Sequence, residues 1–160
     1  MDRGWGMIYF AYGSNLDYLQ MISRAPHALL VEPAWLDGYR LCFPRRSFVR
    51  ATAVASIEPA AGEKVWGALY DVPEREMDRL DAREGYSAKP RYGENICNRI
   101  SITAQVPERP PVEAMTYVVN PKPEPGLPSA DYLSLIVSAA IVLRAPKEYI
   151  AMLRAMPRAA

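Results

Sequence analysis

The chain has few of the residues on which many enzymes depend. It has one histidine, His27, and two cysteines, Cys42 and Cys97, that form no CxxC pair. A Ser–His–Asp or Cys–His site therefore has only one available base, and no His/Cys/carboxylate cluster has the spacing of metal ligands. The GxxxxGK[ST] and GxGxxG patterns are also absent. We predict no metal and no organic cofactor, so any chemistry must depend on carboxylates, hydroxyls and backbone groups.

Neither sign of charge is in excess, since 19 Lys and Arg face 18 Asp and Glu. Nucleic-acid-binding proteins usually carry a basic excess or a basic stripe. The densest basic run, PRRSFVR at residues 44–50 with Arg45, Arg46 and Arg50, is typical of a solvated loop or edge. The first residues show no n-region followed by an h-region, so we expect no targeting segment. The longest apolar run, residues 132–143, fits a buried helix and is too short to span a bilayer. We predict no nucleic-acid or membrane partner, and a cytoplasmic protein with buried, reduced cysteines.

The rest of the composition is that of an ordinary globular protein. Half of the 160 residues are hydrophobic and 23% are charged, which predicts a single domain over residues 1–160 with a core large enough for a dry pocket. Strands are predicted at residues 5–12, 34–43, 51–58, 64–72, 92–104 and 114–119, and helices at 16–25, 73–84, 129–143 and from 146. The proline-rich stretch 120–128 is predicted to be a surface loop. This pattern favours an α+β fold, with a small closed barrel of mixed strands flanked by helices.

One carboxylate stands out on the predicted helix 73–84. Met77 and Leu80 form its apolar stripe, and Glu84 continues that stripe four residues further on. Gly85 is a natural stop for the helix. An inward-facing carboxylate has its pKa raised by desolvation, which suits a proton shuttle. The alternative is that Glu84 caps the helix or pairs with an arginine at the edge of the domain, and the pattern does not decide between them.

The stretch YFAYGSNL, residues 9–16, joins a predicted buried strand to the first predicted helix. Gly13, Ser14 and Asn15 form a polar loop whose backbone N–H groups precede a helix, and such groups can bind a carboxylate or an oxyanion. Ser14 or Asn15 is also predicted to be the N-cap of that helix, with Asp17 in its first turn. The simpler alternative is that the loop only caps the helix.

Three motifs, YFAYGSNL (9–16), VWGALYDV (65–72) and LDAREGY (80–86), together resemble the γ-glutamylcyclotransferase family and its AIG2-like relatives. Their order and spacing agree, and PSADYLSLIV (128–137) and KEYIAMLRAM (147–156) extend the likeness over nearly the whole chain. One departure precedes the last helix, where many members have Gly-Leu-Pro and this chain has Leu143-Arg144-Ala145-Pro146. The resemblance implies a small β-barrel flanked by helices. It also implies conversion of a γ-glutamyl amine or amino acid to 5-oxoproline and the free amine.

The resemblance also implies roles for single residues. The YGSNL loop of such proteins lines the substrate pocket, and it corresponds here to Tyr12, Gly13, Ser14, Asn15 and Leu16. The glutamate of the Glu-Gly motif, the catalytic acid/base, corresponds to Glu84, and Tyr92 is the nearest match to a further pocket tyrosine. The expected partner is a small γ-glutamyl substrate, and a homodimer is left open. The alternative is a non-catalytic binding module of the same fold that holds a γ-glutamyl metabolite.

Overall fold

The computed structural model describes residues 6–47, 52–90, 93–121 and 126–160. Within these residues the chain forms five strands and four α-helices. In chain order they are β1 (Met7–Ala11), α1 (Tyr18–Arg24), β2 (Leu29–Ser47), β3 (Thr52–Val72), α2 (Glu74–Glu84), β4 (Cys97–Ala104), β5 (Val112–Val119), α3 (Ala130–Val142) and α4 (Lys147–Arg154). A 3-10 turn, Ser14–Leu16, joins β1 to α1. The predicted α+β class is confirmed.

The five strands form one mixed sheet in the order β2-β3-β1-β5-β4. The short strand β1 is central, because it pairs antiparallel with β3 and parallel with β5 at Tyr9 and Met115. The predicted closed barrel is correct only loosely. The strand ladders do not close, although Trp35 of β2 and Gln105, just after β4, form an isolated antiparallel bridge with N–O distances of 2.9 and 2.7 Å. The sheet therefore curls until its two edges touch at one point.

The strands β2 and β3 are much longer than the sequence predicts, at 19 and 21 residues. Pro33, Pro44 and Pro59 lie just outside the predicted strands 34–43 and 51–58. In the structure all three lie inside the longer strands. Pro33 and Pro44 lie in β2, which is an edge strand where a missing N–H costs little. Pro59 lies in β3 outside the stretch that pairs with β1, which begins at Ala68. Register shifts in the β2–β3 ladder, one of them at Asp37, bend the long hairpin over the helices.

Three of the four helices begin and end close to their predicted positions, because local chemistry determines both ends. Pro73 is the N-cap of α2, and Gly85 ends that helix in the left-handed conformation, at a φ of 74°. A Cβ added to Gly85 would lie 2.6 Å from the Cβ of Ile96, so the position has no space for a side chain. Ser129 caps α3 by accepting a hydrogen bond from the N–H of Tyr132 at 3.1 Å. No helix in the described ranges is long and apolar enough to cross a membrane.

The first helix differs from its prediction. The Ser14–Leu16 turn delays the start of α1, so the predicted N-cap at Ser14 or Asn15 is wrong. Asp17 is the N-cap, and its carboxylate accepts from the N–H of Gln20 at 3.0 Å. Leu19 is an apolar residue of this helix, yet it is 71% exposed. The turn therefore frees the side chain of Asn15 for a different set of partners.

Candidate active site

A cavity of about 660 Å³ lies between the turn that follows β1 and the C-terminal end of α2. Volumes of several hundred Å³ are usual for small-molecule sites. Five of the residues predicted from the sequence line this cavity: Tyr12, Gly13, Ser14, Asn15 and Glu84. Leu16 does not line it, and Tyr92 lies outside the described residues. The two stretches selected from the sequence, 69 residues apart at Asn15 and Glu84, thus meet at one cavity.

Asn15 connects the two halves of the site. Its side chain is only 2% exposed, and its Nδ2 donates to Oε1 of Glu84 at 2.7 Å and to the hydroxyl of Tyr9 at 3.1 Å. Its Oδ1 accepts from Nη1 of Arg24 at 2.6 Å. Because both amide hydrogens and the amide oxygen have partners, the orientation of this side chain is fixed. Asn15 therefore holds Glu84 in position and has no capping role.

Glu84 combines both alternatives that the sequence left open. Its side chain is 21% exposed on the cavity wall, and its Oε1 lies 3.4 Å from Nη1 of Arg24. The side chain of Arg24 is itself only 14% exposed, so this ion pair is shielded from much of the solvent. The carboxylate thus faces the cavity and pairs with an arginine at the same time. Two donors, from Asn15 and Arg24, orient it toward the enclosed space.

In the turn from Gly13 to Leu16, one backbone N–H group is used within the turn and is not available to a ligand. The N–H of Leu16 donates to the carbonyl of Gly13 at 3.0 Å, and the leucine side chain is buried in the core. The part of the turn on the cavity wall is Gly13, Ser14 and Asn15. A Cβ at Gly13 would lie 3.3 Å from the Cβ of Ala55, tighter than ordinary contact, so the turn packs closely against the opposite wall.

Three tyrosines form a rigid, neutral side of the cavity. The hydroxyl of Tyr12 donates to the carbonyl of Tyr117 at 2.5 Å, and the hydroxyl of Tyr117 donates to Oδ1 of Asp81 at 2.5 Å. Burial, with the negative charge of Glu84 as the next cause, raises the pKa of Tyr9 well above its ordinary value. Burial and then the hydrogen bond to Asp81 raise the pKa of Tyr117. These hydroxyls are therefore protonated at neutral pH.

Asp81 is a buried carboxylate on the same helix as Glu84, and it was not predicted from the sequence. It lies one turn before Glu84, is 8% exposed, and forms an ion pair with Arg99 in which Nε lies 2.9 Å from Oδ1. Its spacing of four residues from the buried Met77 was a signal for the same inward face. Through Arg99 and Tyr117, Asp81 ties the end of α2 to β4 and β5.

Further groups on the cavity wall come from β2 and β4. Cys97 is buried there, and burial, followed by the nearby charge of Glu84, raises the pKa of its thiol to about 12. Arg45 and Arg46 lie in the edge strand β2, as the predicted solvated edge requires, but they also line the cavity. Arg50 lies outside the described residues. No group of three or more His, Cys, Asp or Glu in the described part of the chain could hold a metal ion.

Comparisons with known proteins identify the family of the chain. The model of the AIG2-like family matches residues 64–153, which is more than half of the chain and includes α2. Gamma-glutamylcyclotransferase of Bos taurus is 27% identical over 91% of this chain and 76% of its own length. The protein of the same name from Homo sapiens is 27% identical over 93% of this chain and 78% of its own length.

The solved structures give the same result for the fold. A gamma-glutamyl cyclotransferase superposes with a TM-score of 0.86 and 25% identity, over 96% of this chain and 89% of that one. YkqA from Bacillus subtilis has a TM-score of 0.74 at 20% identity over 56% of its length, which supports the fold alone. The resemblance drawn from the sequence motifs is therefore confirmed, and the chain belongs to the AIG2-like family.

Proposed function

We propose that this protein is a γ-glutamylcyclotransferase that converts a γ-glutamyl amino acid or γ-glutamyl amine to 5-oxoproline and the free amine. One observation carries the proposal. The carboxylate of Glu84 is held on the wall of an enclosed cavity by Asn15, in a chain similar to gamma-glutamylcyclotransferases along nine-tenths of its length. The reaction needs no protein nucleophile, because the substrate supplies its own.

In this reaction the α-amine of the glutamyl group attacks its own γ-carbonyl carbon. A new C–N bond closes a five-membered ring, and the amide bond to the leaving nitrogen breaks. Glu84 accepts the proton that the attacking nitrogen loses and returns one to the departing nitrogen, so no water is consumed and no electrons are transferred. General acid–base catalysis of this kind contributes about 10²–10⁴-fold in rate. The single carboxylate therefore performs both proton transfers.

The rest of the cavity folds the glutamyl chain into the ring-closing conformation. In the proposal the turn at Gly13, Ser14 and Asn15 binds the α-carboxylate or the developing oxyanion through its backbone N–H groups. The close packing of Gly13 against Ala55 keeps that wall fixed. Well-oriented intramolecular attack corresponds to effective molarities of about 10⁵ M or more. Orientation alone thus supplies a large part of the rate enhancement.

The rival function is a binding module that holds a γ-glutamyl metabolite without converting it. It is favoured by the ion pair of Glu84 with Arg24, because an arginine partner stabilises the charged form of a carboxylate and suits a purely structural role. Under the cyclotransferase proposal the same arginine orients the carboxylate and leaves its proton transfers intact. Turnover therefore separates the two functions.

The test is incubation with a panel of γ-glutamyl compounds and detection of 5-oxoproline by mass spectrometry. We expect release by the wild-type protein and a loss of at least about 100-fold in Glu84→Gln, which keeps the shape but removes the proton carrier. Glu74→Gln, at an exposed position in the first turn of the same helix, is the matched control and should retain full activity. Binding without turnover in the wild type favours the module. Unchanged turnover in Glu84→Gln refutes the role of Glu84.

A further inference from the structure

The cavity is strongly positive although the chain as a whole is nearly neutral. Among the described residues its wall carries four arginines, Arg24, Arg45, Arg46 and Arg83, against one carboxylate, Glu84. The whole chain has a formal net charge of +1. Cations gathered around a partly enclosed space raise the local concentration of anions and favour anionic ligands. The excess of positive charge therefore favours an occupant that carries more than one negative charge.

The four arginines divide into two groups by position, and only Arg24 of the four has an ion pair among the described residues. Arg24 is bonded to Asn15 and Glu84, and Arg83 is the immediate neighbour of Glu84 on α2. Arg45 and Arg46 instead come from β2. None of the ion pairs within the described ranges involves either of them. They are thus cations without a protein carboxylate among the described residues.

Two observations show that Arg45 and Arg46 belong to the cavity itself. The positive charge of Arg45 opposes the rise in the pKa of the buried Cys97, so Arg45 lies within electrostatic reach of the cavity floor. The aliphatic part of the Arg46 side chain packs against Gly126, because a Cβ added to Gly126 would lie only 2.7 Å from Cγ of Arg46. This contact restricts the arginine side chain to the neighbourhood of the cavity opening.

We propose that Arg45 and Arg46 bind carboxylate groups of the leaving amine, so that the cavity selects γ-glutamyl compounds whose leaving amine is an acidic amino acid. The inference rests on the proposed function, which assigns the glutamyl half to the turn at Gly13 and the proton transfers to Glu84. The leaving half then extends from Glu84 toward β2. A guanidinium group matches a carboxylate with two parallel hydrogen bonds, and two guanidinium groups suit an amine that carries two carboxylates.

The test compares two substrates of nearly the same shape, γ-glutamylglutamate and γ-glutamylglutamine, which differ by one negative charge on the leaving half. We expect the wild type to show a kcat/KM at least about ten-fold higher for γ-glutamylglutamate, and this preference should fall as sodium chloride is added. The double variant Arg45→Gln/Arg46→Gln should treat the two compounds alike to within about three-fold. Arg79→Gln, an exposed arginine on α2 outside the cavity lining, is the control and should keep the preference.

A second readout separates this inference from the proposed function. Calorimetric titration of the same two compounds measures binding whether or not chemistry follows, and circular dichroism verifies that the double variant is folded. If no γ-glutamyl compound yields 5-oxoproline, the proposed function fails, yet selective binding of γ-glutamylglutamate that is lost in the double variant still supports the arginines. Equal rates and equal binding of the two compounds in the wild type overturn the inference. A charge preference that survives in the double variant also overturns it.

Discussion

Replacing Asn15 by alanine tests whether this residue joins the two halves of the site or only belongs to a helix cap. The side chain makes charge-assisted hydrogen bonds to Glu84 at 2.7 Å and to Arg24 at 2.6 Å, and a third bond to Tyr9. Bonds to charged groups contribute about 1.5–3 kcal/mol each, so two of them amount to roughly 3–6 kcal/mol. Nη1 of Arg24 already lies 3.4 Å from Oε1 of Glu84. In the variant Arg24 can move closer to the carboxylate and restore part of the lost interaction energy. We expect Asn15→Ala to lower the free energy of unfolding by about 2–4 kcal/mol.

Asp17→Ala is the matched control, because it removes the observed N-cap two residues further along the chain. Its expected cost is about 1 kcal/mol, with little effect on turnover. Asn15→Ala should also reduce 5-oxoproline release, since Glu84 loses one of its two orienting donors. Urea unfolding followed by circular dichroism measures the first quantity, and turnover of a γ-glutamyl substrate measures the second.

A double-mutant cycle makes the prediction specific. Combining Asn15→Ala with Glu84→Gln should show a coupling energy of about 1 kcal/mol or more, because the two residues share a hydrogen bond. The reasoning is refuted if Asn15→Ala costs no more than Asp17→Ala and the cycle shows additive effects. In that case Asn15 contributes only local turn structure.

Two further predictions concern stability. Arg144 has a φ of 59°, a left-handed conformation that favours glycine, so Arg144→Gly should raise the free energy of unfolding by about 1 kcal/mol. Gly85 has a φ of 74°, and a Cβ there would collide with Ile96, so Gly85→Ala should lower the free energy of unfolding by at least the same amount. Urea titration measures both changes. Burial would raise the pKa of Glu76, but its hydrogen bonds from His27 outweigh burial and hold the pKa below its usual value. The stability that Glu76 contributes is therefore present above its unfolded-state pKa and is lost as the pH falls through the lower folded-state pKa. The difference in unfolding free energy between wild type and Glu76→Gln should thus shrink as the pH falls below the ordinary glutamate pKa of about 4.3.

Much of the helical structure followed from the sequence because its signals are local. Pro73, Gly85 and Ser129 determine helix ends through their own backbone and side-chain chemistry, and each was predicted. The full lengths of β2 and β3 were not predicted, because a proline in the sequence does not show whether its strand lies at the edge of a sheet. The position of β2 at the edge, which makes Pro33 and Pro44 harmless, is decided by tertiary pairing.

The site could be predicted only in part, for a related reason. Glu84 was identified by its place on the apolar stripe of α2, and the polar turn by its place at the end of β1. The partners of Asn15 were not foreseen, because Glu84 is 69 residues away and the 3-10 turn that frees Asn15 has no clear sequence signal. Arg45 and Arg46 were predicted to lie on a solvated loop or edge, and their place on the cavity wall was not foreseen. The charge of a residue does not show which way the side chains of an edge strand point.

The central position of β1 has a consequence for how the protein is made. This strand precedes both of its sheet neighbours, β3 and β5, in the chain, and Thr116 of β5 donates to the carbonyl of Phe10 across 106 positions. The hydrogen bond from Tyr12 to Tyr117 is equally distant in sequence. During synthesis β1 can pair with β3 before β5 is made, but the cavity wall that includes Tyr117 is incomplete until β5 is available. We therefore expect the binding site to form late in folding, after the pairing of β1 with β3.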